Sequence, residues 1–278
     1  MSDITGSFIH DSRKRTYTGY LPSEYKATET YPLFVLLHGG GGTGKAILNK
    51  TGFRAAADTK GFIVIAPDGY EKSWNDGRGS TDAELAGIDD VGFLKAAVAR
   101  AVAELPIDSD RVYAVGHSSG GILALRCALE AADVFAGVGA CAASIATLIA
   151  GGVSTGTVSV ITIHGTDDPM IPFEGGQTGR KDNNGLVESA MNTAVLFAGH
   201  NGCAADPVVE KLPSKVRDGT KITRYTFQSC EPGTAMVLNA VKNMGHQWPP
   251  TKERVCTLGK TSKNIDATAT ICEFLLGQ

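Results

Sequence analysis

Apolar residues recur along this chain in two alternating rhythms. In "YPLFVLLHG", residues 31–39, a continuous apolar run is closed by glycine, the pattern of a strand buried on both faces. "GFIVIAPDG", "RVYAVG", "FAGVGAC" and "VSVITIHG" repeat it downstream. Between these runs the period lengthens to three or four. Val91, Leu94, Val98, Val102 and Leu105 mark an amphipathic helix over 88–105, and Pro106 stops it. Further helices are predicted over 46–59, in "GILALRCALEA", over about 188–199 and over 265–276. Residues 4–10 and 15–21 read as edge strands, and "ITRYTFQSC" and "AMVLNAVKNMG" as two late strands.

Strands alternating with helices predict an α/β fold, a mostly parallel sheet with helices on both faces. No internal repeat or linker-like stretch interrupts it, so residues 1–278 are expected to form a single domain. In such sheets active sites gather at the carboxyl ends of the strands. One segment, "VFAGVGACAASIATLIAGGV" at 134–153, is uncharged over a membrane-spanning length. It is mostly Ala, Gly, Ser and Thr and lacks an aromatic belt, so a buried strand plus loop is predicted there.

Composition narrows the function classes. Hydrophobic residues make up 42% and charged residues 20% of 278, enough for one sizeable core. The net charge is −3, and no block of Lys or Arg stands out. A nucleic-acid partner would need a basic patch and a membrane-surface helix a basic face, so neither partner is expected. The first thirty residues hold no apolar signal-peptide core, which points to a cytoplasmic protein or a chain read from a processed start. Cysteine use leans the other way. Cys127 and Cys141 lie in apolar stretches and read as core thiols, whereas Cys203, Cys230, Cys256 and Cys272 lie in the polar C-terminal third, where disulfides suit an oxidising compartment. No zinc-ligand spacing occurs.

"VYAVGHSSGGILAL" carries the strongest chemical signal. Gly116-His117-Ser118-Ser119-Gly120 fits G-x-S-x-G between a strand and a helix, a turn that projects the serine hydroxyl. Gly116 and Gly120 remove side chains that would clash there, and Ser118 sits at the positive end of the following helix. A serine nucleophile needs a base, and the base needs an orienting acid. Asp167 and Asp168 in "HGTDDPMIP" follow a strand end, the place for the acid. His246 in "NMGHQWPP" follows a later strand, the place for the base; His200 reads instead as the C-terminal residue of a helix, where a cation is favoured structurally.

"HGGGGTGKA", from His38 to Ala46, fits two anion cradles. As a phosphate loop it lacks the Ser or Thr after Lys45 that binds magnesium, because Ala46 stands there. As half of an oxyanion hole it lies after the right strand; the N–H of Ser119 supplies one donor and that of Gly40 or Gly41 the other.

Taken together, "LLHGGGG", "PDG…WNDGR", "DDVGFL", "DRVYAVGHSSGG", "HGTDDPMIPFEGG", "NGC" and "GHQWP", in that order over nearly the whole chain, resemble the esterases that include polyhydroxybutyrate-depolymerase-like proteins and feruloyl esterases, carbohydrate esterase family 1. The resemblance implies an α/β-hydrolase fold without a large lid domain, with Ser118 as nucleophile, His246 as base and Asp168 as acid. It also implies a disulfide between Cys203 and Cys230, and secretion in many members.

The expected activity is hydrolysis of carboxylic esters through an acyl-enzyme, with no metal or cofactor required. Substrates are expected among feruloyl or acetyl esters of plant carbohydrates, or alternatively short hydroxybutyrate-type oligomers. Trp74, Trp248, Tyr70 and Phe173 fall near strand ends and are candidates for the substrate pocket or for ordinary packing. A catalytically silent α/β-hydrolase acting as a binding module is the alternative from another class. The expected partner is a small or oligomeric ester, with no obligate protein partner.

Overall fold

A computed structural model describes residues 2–179, 184–251 and 256–277. The chain opens with β1 (Ser2–His10), β2 (Arg13–Leu21), β3 (Tyr31–Leu37), α1 (Gly44–Lys50), α2 (Phe53–Lys60) and β4 (Ile63–Pro67). Then follow α3 (Asp82–Leu85), α4 (Asp90–Glu104), β5 (Ile107–His117), α5 (Ser119–Glu130), β6 (Gly137–Cys141) and β7 (Ser159–Gly165). The last part holds β8 (Gly176–Gln177), β9 (Leu186–Val187), α6 (Ala190–His200), β10 (Val208–Lys211), β11 (Lys221–Phe227), β12 (Met236–Lys242) and α7 (Ala267–Leu276).

Ten strands form one sheet in the order β1-β2-β4-β3-β5-β6-β7-β12-β11-β10. From β4 through β12 neighbouring strands are parallel, and the strands at both margins are antiparallel. Helices cover both faces, so alternate residues of one strand enter different cores. Along β3, Leu33, Val35 and Leu37 pack with α4, α5 and α6, whereas Phe34 and Leu36 pack with α1, α2 and α7. That is why the apolar runs are continuous rather than alternating.

The helix expected over 46–59 is two helices. Gly52 sits at φ 80° between α1 and α2, in the left-handed region, where an α-helix cannot continue. Residues 134–153 form β6 and the loop after it, and no helix among the described residues is long and apolar enough to cross a membrane. Cys203, just past α6, is disulfide-bonded to Cys230, just past β11. Cys127, Cys141 and Cys272 are buried free thiols, so Cys272 belongs to the core of α7 and not to a surface disulfide. The Cys256 side chain lies outside the described part of the structure.

One buried ion pair fixes the loop that approaches the strand ends. Arg15 donates to Asp90 Oδ1 at 2.7 Å, with 5% and 0% of the two side chains exposed, and its guanidinium lies 3.6 Å from the centre of the Phe93 ring. Asp90 Oδ2 accepts from the Asn75 amide at 2.7 Å. Burial pushes the Asp90 carboxyl up from its ordinary value, while the Asn75 amide and Arg15 pull against it. Asp90→Ala leaves a buried guanidinium unpaired, which costs about 3–5 kcal/mol. Thermal denaturation of this variant will show a midpoint lower by about 10 °C; a midpoint within 2 °C or so of wild type would show that water replaces the carboxylate.

Candidate active site

Ser118 lies between β5 and α5 with φ 57° and ψ −127°, a conformation that L-residues rarely adopt. The glycines around it are required by close backbone approach. A Cβ on Gly116 would lie 2.1 Å from the Gly120 carbonyl oxygen, and one on Gly120 would lie 2.4 Å from those of Leu37 and His38. The Ser118 amide donates to the Cys141 carbonyl at 3.0 Å, which ties the turn to β6.

His246 stands on the loop after β12 and Asp168 on the loop after β7. His246 Nε2 is 2.8 Å from Ser118 Oγ, and His246 Nδ1 is 2.8 Å from Asp168 Oδ2. A carboxylate only accepts, so Nδ1–H donates to Asp168 and Nε2 accepts from the serine. Asp168 Oδ1 is filled by the amides of Met170 and Ile171, at 2.8 and 2.9 Å. A second imidazole, the fully buried His164, faces Asp168 Oδ2 at 3.6 Å while its Nε2–H donates to the Ile171 carbonyl at 2.9 Å. Burial pushes the Asp168 carboxyl up, but His164 and His246 beside it outweigh that and hold it well below the carboxylate range. Asp167 is exposed and accepts from Thr166. His200 ends α6, away from this chain of bonds.

The glycine turn after β3 is fixed by its histidine. His38 Nδ1–H donates to the Gly39 carbonyl at 2.8 Å, and its Nε2 accepts from the Gly69 amide at 3.0 Å. Burial lowers its pKa, in keeping with the neutral ring these bonds need. Trp74 Nε1–H donates to the His38 carbonyl at 2.8 Å. A Cβ on Gly39 would sit 3.3 Å from Ser118 Cβ, so the turn lies directly against the serine. The Gly41 amide donates to the Lys72 carbonyl at 2.9 Å. That bond occupies the Gly41 amide, which leaves the Gly40 amide of the two expected donors. Farther along, Thr43 caps α1, the Gly44 amide donates to Asp68, and Lys45 is exposed.

Ser118 and His246 open into a cleft of about 700 Å³. Its lining mixes apolar side chains, among them Ala46, Ile47 and Leu258, with polar ones, among them Lys50, Arg78, Ser80 and Asn184. Of the four aromatic candidates only Trp248 lines the cleft, and it does so almost fully buried, with its indole N–H donating to Thr268 Oγ1 at 3.1 Å. Trp74 is fully buried under the glycine turn, where its indole N–H finds an acceptor. Tyr70 packs on Arg13, and Phe173 packs edge-on against His164.

His117, His38 and His164 are site neighbours to which the residue pattern assigned no role, and Asp76 and Arg78 lie in "WNDGRGSTD", a polar stretch that reads either as a contact for a sugar or hydroxyacid or as a surface loop. The His117 ring lies 5.0 Å from that of His246. Its pKa is held well below the ordinary value by burial and by His246, so it is a neutral ring beside His246. The only sequence signal for these residues was their place inside the quoted motifs.

Residues 11–161 match a family model described as "Putative esterase". Over 258 residues the chain is 31% identical to "Putative esterase NocK" of Nocardia uniformis subsp. tsuyamanensis, covering 90% of this chain and 75% of that protein. It is 27% identical over 241 residues to "Probable feruloyl esterase C" of Aspergillus niger, covering 82% and 76%. Among solved structures, the acetyl xylan esterase from Aspergillus awamori aligns with a TM-score of 0.62 at 16% identity, over 88% of this chain and 94% of that one. At that identity the likeness is one of fold, and the fold is that of the α/β-hydrolases.

Proposed function

This chain belongs to the esterase family whose model it matches, the α/β-hydrolase esterases akin to feruloyl esterases, and from that premise we propose a serine mechanism directed at esters of plant carbohydrates. The enzyme is a carboxylic ester hydrolase. The observation that carries the mechanistic reading is His246, hydrogen-bonded at 2.8 Å to both Ser118 and Asp168. In this reading His246 takes the Ser118 proton as Oγ attacks the ester carbonyl, then delivers it to the departing alkoxide. Asp168 holds the Nδ1–H tautomer and stabilises the imidazolium. The amides of Ser119 and Gly40 receive the oxyanion, each such donor contributing about 3 kcal/mol. Water, deprotonated by His246, then releases the acid from the acyl-enzyme and restores Ser118.

The mixed lining of the cleft supports the substrate class. Ala46, Ile47 and Leu258 suit an apolar or aromatic acyl group, and the Ser80 hydroxyl suits a hydroxyl-bearing alcohol. The relatives named for feruloyl ester chemistry agree with that division. The test is a panel of methyl ferulate, an acetylated xylo-oligosaccharide and a hydroxybutyrate dimer. We expect kcat/KM for a feruloyl or acetyl ester to exceed that for the hydroxybutyrate dimer by at least about tenfold, the scale of 1.4 kcal/mol in transition-state binding. Preference for the hydroxybutyrate ester would reverse the substrate assignment, and no turnover of any ester would leave a binding module.

A further inference from the structure

The residue after the nucleophile has a side chain as well as an amide, and that side chain is tethered. Ser119 Oγ–H donates to Asp76 Oδ2 at 2.6 Å, a buried contact between α5 and the loop before α3. Asp76 is completely buried. Its carboxylate also takes the Arg78 guanidinium in two bonds, Nε to Oδ1 at 2.9 Å and Nη2 to Oδ2 at 2.8 Å. Arg78 Nη1 reaches across to Thr178 Oγ1 at 2.9 Å, beside the short β8 and β9 pair. Burial pushes the Asp76 carboxyl up, and the Arg78 guanidinium pulls it back. Without Arg78 that carboxylate would be a poor anchor for a hydroxyl.

We infer that Asp76, held by Arg78, is a positioning residue that aims the Ser119 amide at the oxyanion. The peptide plane carrying that amide is set by ψ of Ser118 and φ of Ser119. Ser118 is at φ 57°, so its preferred relaxation would rotate this plane. A charge-assisted hydrogen bond from Ser119 Oγ to a buried, doubly bonded carboxylate resists the rotation on the helix side. The Ser118 amide, bonded to Cys141, resists it on the strand side. Donor placement matters because an oxyanion donor acts only at about 2.7–3.1 Å from where the charge develops.

The inference rests on Ser118 as nucleophile, and the variants separate the two. Ser119→Ala removes the hydroxyl and keeps the amide, the turn and the Asp76–Arg78 pair. We expect kcat to fall about tenfold or more with KM unchanged, a part of the 10²–10³ lost with a whole donor. Affinity for a boronic acid, whose Ser118 adduct places an oxygen in the hole, should weaken by a similar factor. Ser119→Thr, which restores a hydroxyl, should recover most of both. Wild-type kcat and boronate affinity in Ser119→Ala, or a loss of thermal stability without either change, would overturn the positioning role. Activity persisting in Ser118→Ala would instead remove the reading beneath it.

Discussion

Ser118→Ala will lower kcat/KM for a p-nitrophenyl ester by about a million-fold, the scale seen when a serine nucleophile is deleted from a hydrogen-bonded triad. That corresponds to about 8 kcal/mol of transition-state stabilisation. In the proposed mechanism the effect is large because the hydroxyl supplies the bond that splits one hard step into two easier ones, and His246 and Asp168 have nothing to activate without it. The fold should hardly notice. Only the hydrogen bond to His246 Nε2 is removed from a residue that is partly exposed. Thermal midpoint, steady-state kinetics and labelling by a fluorophosphonate form the check. More than about one-hundredth of wild-type activity in a well-folded variant would exclude Ser118 as the nucleophile, since a deleted nucleophile leaves far less.

Asp168→Asn is the second large effect, and its direction follows from which oxygen is engaged. The amides of Met170 and Ile171 both donate to Oδ1, so an asparagine must keep its carbonyl oxygen there. Its NH2 group then occupies the Oδ2 position, facing His246 Nδ1. A donor in that place accepts no proton from Nδ1 and selects the Nε2–H tautomer, which cannot take the Ser118 proton. We expect kcat to fall about 10⁴-fold with KM little changed, as for the same substitution in a serine protease. An activity within tenfold of wild type would mean that the side chain has flipped and Asp168 does not set the tautomer. Stability carries a second signature. The folded-state pKa of Asp168 lies below its unfolded value near 3.9, so its stabilisation is present above that pH and lost as pH falls through the folded value. The stability gap between wild type and Asp168→Asn should therefore be full at pH 7 and shrink in acid, as urea midpoints at several pH values would show.

What could be read from residues alone depended on how local its cause was. β3, β4, β7 and the second half of β5 announce themselves because both their faces are buried, which writes a continuous apolar run. The turn at Ser118 is legible for a similar reason: Gly116 and Gly120 are demanded by backbone atoms within a few residues or in the adjoining strand. The break between α1 and α2 was present in Gly52, but an isolated glycine within a helical pattern is often tolerated. β8 and β9, two residues each, are too short for any period. Contacts between distant segments left no local trace. Nothing near Gly41 tells that its amide meets Lys72, and nothing near Trp74 tells that its ring turns inward under His38. The tie from Asp76 to Ser119 joins positions 43 apart and is of the same kind.

The backbone at Ser118 bears on how far this protein could be stabilised by engineering. A non-glycine residue held at φ 57° and ψ −127° costs about 1–3 kcal/mol. Glycine would adopt that conformation freely, so Ser118→Gly is expected to yield a chain at least as stable as wild type and without activity. Whole-molecule stability totals only about 5–15 kcal/mol. A selection scheme that scored thermal tolerance alone would thus reward loss of the serine. Stabilising substitutions in this enzyme belong away from the turn, at the exposed margins of β1 and β10, with turnover measured at every round.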